Sequence, residues 1–359
     1  MRGVNMAIHV KNLKIDTYRG IKNLQLNNFK DINIFTGDNN TGKTSILEVL
    51  NSLKNPLATS SWKIALRIPE NSFSSNQLSL FESFKLLFNI ENQKVIKYSY
   101  SHKEEKNISI YAREKEILLT PQQRDKILGV IDLEEEQNKY IPNKNLELEF
   151  LENDNLVNRD VIFEISRKLT TTDSKEEIKT VYVSPFQHIE STVYLNDILD
   201  NPILFQDMLE VLKEFDKDII SINAGKIGNT VVYKVLSKQK TIPLNAYGDG
   251  MKKAILLISA VVSAKNGILL LDEFETAIHT SAMNKVFTWI LKTCLKLNVQ
   301  LFLTSHSKEA IEKVLSCSEE LQSHINLYTL YKKENKIVAR ELSAKKALEA
   351  SEEFGLELR

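Results

Sequence analysis

Eight residues, Gly37-Asp38-Asn39-Asn40-Thr41-Gly42-Lys43-Thr44, constrain this chain more than any other stretch. They follow the spacing G-x-x-x-x-G-K-[ST]. An apolar run, Ile32-Asn33-Ile34-Phe35, precedes them, and Thr44-Ser45-Ile46-Leu47-Glu48-Val49-Leu50, which reads as the first turns of a helix, follows. Strand, glycine loop, helix is the setting in which this spacing binds phosphate. Glycine admits backbone conformations that a Cβ forbids, so successive N–H groups turn inward as an anion nest. The helix adds its unpaired N-terminal N–H groups and its dipole. On this reading Gly37, Asn39, Asn40, Thr41, Gly42, Lys43, Thr44 and Ser45 hold nucleotide phosphates. Lys43 faces the β- and γ-phosphates, and Thr44 offers its hydroxyl to Mg²⁺.

A chain of 359 residues with 42% hydrophobic residues builds a substantial core, as two or three units or as one large α/β domain with insertions. Lys+Arg and Asp+Glu both number 47, so no bulk charge argues for nucleic acid, although a local basic patch stays open. Two cysteines, Cys294 and Cys317, make neither a disulfide framework nor a zinc pair. No apolar run reaches the ~18 residues of a membrane span, and the N-terminus lacks the apolar centre of a signal peptide. The expectation is a cytoplasmic protein away from membranes.

The chain reads as an N-terminal lobe over 8–180, a helical insert over 190–250 and a C-terminal lobe over 251–359. Three strands are expected between 8 and 36, at Ile8–Leu13, Leu24–Leu26 and Ile32–Phe35, with a turn at Arg19-Gly20. A Ser-, Asn- and Pro-rich loop spans about 55–80. The runs Phe84–Ile90, Val95–Tyr100, Ile108–Tyr111, Leu146–Leu151 and Val161–Ile165 read as antiparallel strands. Tyr194, Ile198, Ile203, Leu204, Met208, Leu212 and Phe215 form a helical apolar stripe.

Ile268-Leu269-Leu270-Leu271-Asp272-Glu273 reads as a buried strand that delivers two acids at its C-terminal end. Open α/β sheets bind ligands at that end. Asp272 is placed to hold Mg²⁺ and Glu273 to polarise an attacking water. A second apolar strand, Val299–Thr304, ends in Ser305-His306, where a histidine can meet the γ-phosphate or simply stand at a helix start. Gly248-Asp249-Gly250 opens an apolar helix that leads into the acidic strand. A glycine-flanked helix start is a second anion site. The phosphate loop already serves the chain's own nucleotide, so this site fits a nucleotide held by another subunit.

In this order the motifs resemble ABC-type ATPases of the RecF/SMC-like branch, and more closely the ATPase modules of OLD-family (overcoming lysogenization defect) defence proteins. Tyr18-Arg19-Gly20-Ile21 matches the aromatic-Arg-Gly/Ser-Ile motif of the first hairpin. Leu271-Asp272-Glu273-Phe274-Glu275-Thr276-Ala277-Ile278-His279 matches the D-E-x-E stretch, and Thr304-Ser305-His306-Ser307 the switch loop. The resemblance covers 10–50 and 175–320. It implies a P-loop ABC-type head with a mixed central sheet, an antiparallel β subdomain and a helical lobe between the phosphate loop and the signature loop. It further implies an ATPase using ATP and Mg²⁺, with catalytic Lys43, Glu273 and His306, and metal ligands Thr44 and Asp272. Gln187 is a further metal ligand, or an ordinary solvated glutamine. Arg19 touches phosphate in cis, or makes a structural salt bridge. Gly248, Asp249 and Gly250 act in trans, without the usual signature serine.

The partners implied are a second copy in a homodimer or higher homo-oligomer, and a separate effector, nuclease or toxin. Fifty-three residues follow His306, too few for the Toprim nuclease domain of OLD proteins. An anti-phage sensor or scaffold is the expected role, and a RecF-like DNA repair ATPase is the alternative.

Overall fold

The computed structural model describes residues 8–68, 78–88, 94–129, 140–169, 176–187, 195–227 and 230–354. β1 (Asn12–Tyr18) and β2 (Ile21–Leu26) make a hairpin about Arg19-Gly20. The first strand therefore begins at Asn12, four residues later than its expected start. β3 (Ile32–Gly37) runs into the phosphate loop and helix α1 (Lys43–Ser52). The expected loop over 55–80 contains two 3-10 turns, Thr59–Trp62 and Ile64–Leu66; its residues 69–77 lie outside the described residues.

Helix α2 (Leu80–Lys85) replaces part of the strand expected at Phe84–Ile90, of which 89–90 lie outside the described residues. The Ser79 hydroxyl caps it by accepting the Glu82 N–H at 3.1 Å, and Phe81 and Phe84 bury one face. An i, i+3 aromatic pair behind a serine cap fits a helix as well as an apolar run fits a strand. The remaining expected strands are present: β4 (Val95–Ser101), β5 (Glu105–Leu119) and β6 (Ile141–Glu152) extend beyond their expected bounds, and β7 (Asn155–Phe163) starts six residues earlier and ends two earlier than expected. Helix α3 (Pro121–Leu128) stands between β5 and β6. Together they form an antiparallel sheet in the order β2-β1-β4-β5-β6-β7.

After β8 (Thr180–Val183) come α4 (Asn196–Leu199) and α5 (Pro202–Leu212). Asn201 caps α5, and Pro202 sits at its first position, where a missing N–H costs nothing. Of the expected apolar stripe, Ile198, Leu204, Met208 and Leu212 are buried, Ile203 is exposed, and Tyr194 lies outside the described residues. The expected helical insert over 190–250 is, among its described residues, helical here, in a 3-10 turn at Leu244–Ala246 and where the next helix begins at Asp249. Its second half is a three-stranded antiparallel sheet of β9 (Ile219–Ile227), β10 (Thr230–Ser237) and β11 (Thr241–Pro243).

The C-terminal part runs α6 (Asp249–Ser263), β12 (Ile268–Leu271), α7 (Thr280–Lys296) and β13 (Gln300–Thr304), then α8 (Lys308–Ser316) and α9 (Glu319–Gln322). β14 (Ile325–Lys333), β15 (Lys336–Ser343) and α10 (Ala344–Phe354) complete it. The central sheet has the order β15-β14-β3-β13-β12-β8, parallel except for β15.

Strand alternation assigns the two faces of this sheet. Ile32, Ile34, Leu269, Leu271, Leu301 and Leu303 pack with α6, α7 and α8, while Phe35, Ile268, Leu270 and Phe302 pack with α1 and the antiparallel sheet. A strand buried on both faces must read as a continuous apolar run, which is why β12 is Ile-Leu-Leu-Leu. Each such residue contributes about 2 kcal/mol by leaving water. Among the described residues no helix is long and apolar enough to cross a membrane.

Candidate nucleotide site

The parallel register brings the C-terminal ends of β3, β13, β12 and β8 to one edge. Gly37 (φ 137°), Asn40 (φ 61°) and Gly42 (φ 88°) turn the phosphate loop out of β3 and into α1. A Cβ on Gly37 would lie 2.1 Å from the Leu330 carbonyl oxygen of β14, so this position excludes every side chain. No side chain caps α1, and its first N–H groups face the loop. Thr41 ties the loop by donating to the Asp38 carbonyl at 2.8 Å. Lys43 donates to the Gly37 and Asp38 carbonyls at 2.7 and 2.8 Å. Burial pulls its pKa down, against the attraction of Asp272 and Glu273.

Asp272 is buried at the end of β12 and collects hydroxyl donors from three other elements. Thr44 donates at 3.1 and 3.3 Å, Thr304 of β13 at 2.6 Å and Tyr182 of β8 at 3.0 Å. Burial and the Asp272 charge both raise the Tyr182 pKa, so the phenol stays a donor. The next residue, Glu273, has φ 43°, and its N–H donates to the Thr304 hydroxyl at 2.8 Å. A non-glycine residue in this region carries strain of order 1 kcal/mol, which the Thr304 contact offsets. The Glu273 carboxylate and His306 Nε2 are 3.9 Å apart. The site residues read from sequence in β3, α1, β12 and β13 thus converge.

His306 is fixed from behind by Glu275. One oxygen of that carboxylate accepts the Ser305 hydroxyl at 2.8 Å and the N–H groups of His306 and Ser307 at 3.1 and 3.3 Å. At the start of α6, Gly248 and Asp249 are exposed, and no side chain caps the helix. Gly250 has a packing role besides its place at a helix start: a Cβ there would lie 2.9 Å from the Ala277 carbonyl, against Phe215. Asp249 pairs with Lys252 at 2.6 Å.

Arg19 forms the salt bridge that was one of its two sequence readings, at 3.1 Å to Glu48. It also donates to the Ala65 carbonyl. Glu48 lies one turn beyond Thr44 on α1, is buried, and also accepts from Arg67 at 2.9 Å and from the Tyr18 hydroxyl at 2.8 Å. Gln187 lies just past the end of β8, where its side-chain oxygen accepts the Ser184 N–H at 3.2 Å. Sequence reading passed over Thr304, Tyr182 and Glu48 as site residues, and Glu275 entered only as a motif letter. The parallel register is the signal for Thr304: pairing Leu271 with Leu303 sets the next residues, Asp272 and Thr304, side by side.

A family described as "AAA domain, putative AbiEii toxin, Type IV TA system" matches residues 32–312, from β3 into α8. The chain belongs to that AAA family. This AAA protein is an ATPase. It is 24% identical over 329 residues to an ATP/GTP phosphatase of Helicobacter pylori, spanning 84% of this chain and 86% of that one. It is also 32% identical over 114 residues to an uncharacterized protein of Methanocaldococcus jannaschii, 31% of this chain and 98% of that one. Two Smc head structures, one bound to the C-winged helix domain of ScpA and one to the C-terminal domain of ScpA, superpose with a TM-score of 0.52. One covers 95% of this chain and 99% of its own at 10% identity; the other, from Pyrococcus furiosus, covers 97% and 100% at 9%. At such identities the likeness shows the fold, an ABC-type ATPase head.

Proposed function

We propose that this AAA ATPase is an ATP-dependent dimer switch that uses Mg²⁺. The observation that carries this reading is the convergence of Lys43, Thr44, Asp272, Glu273 and His306 on one sheet edge. The donor set suits the metal. The Thr44 hydroxyl and the Asp272 carboxylate are hard oxygen ligands at the mouth of the phosphate loop. No cluster of three or more His, Cys, Asp or Glu that could hold a metal occurs among the described residues. Mg²⁺ is held in this way, through one carboxylate, its own waters and substrate phosphates. Bound there, it neutralises charge on the phosphates.

The chain's residues do the rest. Lys43 exchanges the Gly37 and Asp38 carbonyls for phosphate oxygens. Glu273 orients the attacking water, and His306 meets the γ-phosphate. Gln187, past β8, would be a further residue to hold the metal. Arg19 holds Glu48 and so supports α1 under the loop. The Gly248-Asp249-Gly250 turn, exposed at Gly248 and Asp249, binds the nucleotide of a second copy, so that ATP favours the joined state by its differential contacts.

The test is Glu273→Gln. Turnover falls at least about 10²-fold, and the variant accumulates as an ATP-bound dimer in sedimentation. Retained hydrolysis removes Glu273 as the base; a monomer in ATP and Mg²⁺ removes the dimer switch.

The resemblance to OLD-family ATPases supports a wider reading, in which the switch senses or scaffolds in anti-phage defence and a separate nuclease or toxin acts. Plaque assays on cells carrying Lys43→Ala test this part: unchanged protection refutes it.

A further inference from the structure

The order of the central sheet sets the direction in which a bound triphosphate runs. Glu273 and His306 leave β12 and β13, which lie on one side of β3. A γ-phosphate turned toward them directs the α-phosphate and the nucleoside to the other side of β3, where β14 and β15 stand. That hairpin packs on the phosphate loop itself. Leu330 pairs with Gly37 in register, and a Cβ on Gly42 would lie 3.4 Å from Ile337 Cδ1. β14 pairs with β3 no farther than Leu330; it then runs on to Lys333, turns at Glu334-Asn335 and returns from Lys336.

This overhang carries Tyr331, Lys332, Lys333 and Lys336, all exposed. None of the three lysines pairs with an acid among the described residues. Lys333 and Lys336 even stand directly opposite each other, a like-charge arrangement that costs stability. An uncompensated positive tip thus borders a loop built to bind phosphate.

Strand alternation separates the three lysines. Leu330 and Ile337 face α1 and the antiparallel sheet. Lys332 lies opposite Ile337 and two residues beyond Leu330, so it shares their face. Tyr331, Lys333 and Lys336 fall on the other face. Lys332 is therefore the lysine of the overhang that looks onto the phosphate loop.

We propose that the β14–β15 overhang is the nucleoside-side wall of the site, and that Lys332 pairs with the α-phosphate of the nucleotide held by the chain's own loop. This rests on the reading that the loop binds a nucleotide. Lys43 serves the β- and γ-phosphates, and Lys332 supplies a second cation at the far end of the chain of phosphates. An ammonium reads charge rather than base, so the contact serves any nucleoside di- or triphosphate alike. It is also the same before and during hydrolysis, so it tightens binding and leaves the chemical step alone.

ADP binding by isothermal titration calorimetry, with steady-state ATP hydrolysis, tests this on the full chain. Lys332 has no described partner to lose, so Lys332→Ala keeps the wild-type melting temperature. The variant binds ADP at least about fivefold more weakly, and KM for ATP rises in step while kcat stays within about twofold. Lys332→Arg restores most of the affinity. Lys336→Ala, equally exposed but on the other face, stays within about twofold of wild type in both measurements. Wild-type ADP affinity in Lys332→Ala overturns the proposal. So does an equal loss in Lys336→Ala, which would mark a diffuse field of the tip rather than a contact. Failure of wild type to bind ADP at all refutes instead the reading of the loop as a nucleotide site.

Discussion

Replacing Thr304 with valine removes one hydroxyl and keeps the shape, so its effect reports on two hydrogen bonds alone. That hydroxyl donates to Asp272 at 2.6 Å and accepts the Glu273 N–H at 2.8 Å, at a position with no solvent exposure. The two losses are unequal. Asp272 keeps donors from Thr44 and Tyr182, so its carboxylate is weakened rather than orphaned. Unless water enters, the Glu273 N–H loses its acceptor, which costs about 1–3 kcal/mol. With a smaller loss at Asp272, the destabilisation is about 2–3 kcal/mol, read as a fall in the urea midpoint. Catalysis suffers separately. The Thr304 oxygen helps hold Glu273 at φ 43°, and a base displaced by about 1 Å costs about 10²-fold in turnover. Nucleotide affinity, set by the phosphate loop, stays within about threefold. Thr304→Ser restores both contacts and most of the activity. A valine variant that releases phosphate at the wild-type rate refutes the idea that this hydroxyl positions the base.

Gly37→Ala places a Cβ 2.1 Å from the Leu330 carbonyl at a φ of 137°. It should cost more than about 3 kcal/mol in urea unfolding, whereas Gly20→Ala, with nothing within 4 Å, stays close to wild type. Lys253 gives a pH signature. Its folded pKa of about 8 lies below the ordinary lysine value of 10.5, so between those pH values the unfolded chain binds more protons than the folded one. Stability from this group therefore rises with pH across that window, by up to about 3 kcal/mol. Lys253→Met should flatten the rise in urea midpoints; an identical slope in the variant removes this account.

Much of the fold was legible because the strongest elements carry their own period. β12 is a continuous apolar run ended by acids, and β3 leads into a glycine loop with one structural solution. The errors fell where period is ambiguous. Phe84 to Ile90 has five apolar residues in seven, so strand and helix fit it equally, and at Phe84 and Lys85 the helix capped by Ser79 is what forms. The second half of the insert carries β-branched pairs, Ile219-Ile220 and Val231-Val232, in strands that a helical reading of the preceding stripe overran.

The site divides in the same way. Motif residues contact the ligand through chain-local geometry, so spacing reveals them: Gly42, Lys43 and Thr44 are consecutive because one helix start must present backbone, ammonium and hydroxyl together. The residues that hold the acids are different in kind. Thr304 and Tyr182 reach the acidic edge from β13 and β8, 32 and 90 residues away in sequence. Each contributes one polar atom, and a lone Thr or Tyr has no spacing to betray it. Register is the missing information. Once β8, β12 and β13 are known to be parallel and in step, Thr304 must flank Asp272, and Tyr182 must precede it on the neighbouring strand. Asp272 is fixed by hydroxyls because a hydroxyl orients a carboxylate without competing for the positive ion the carboxylate has to attract.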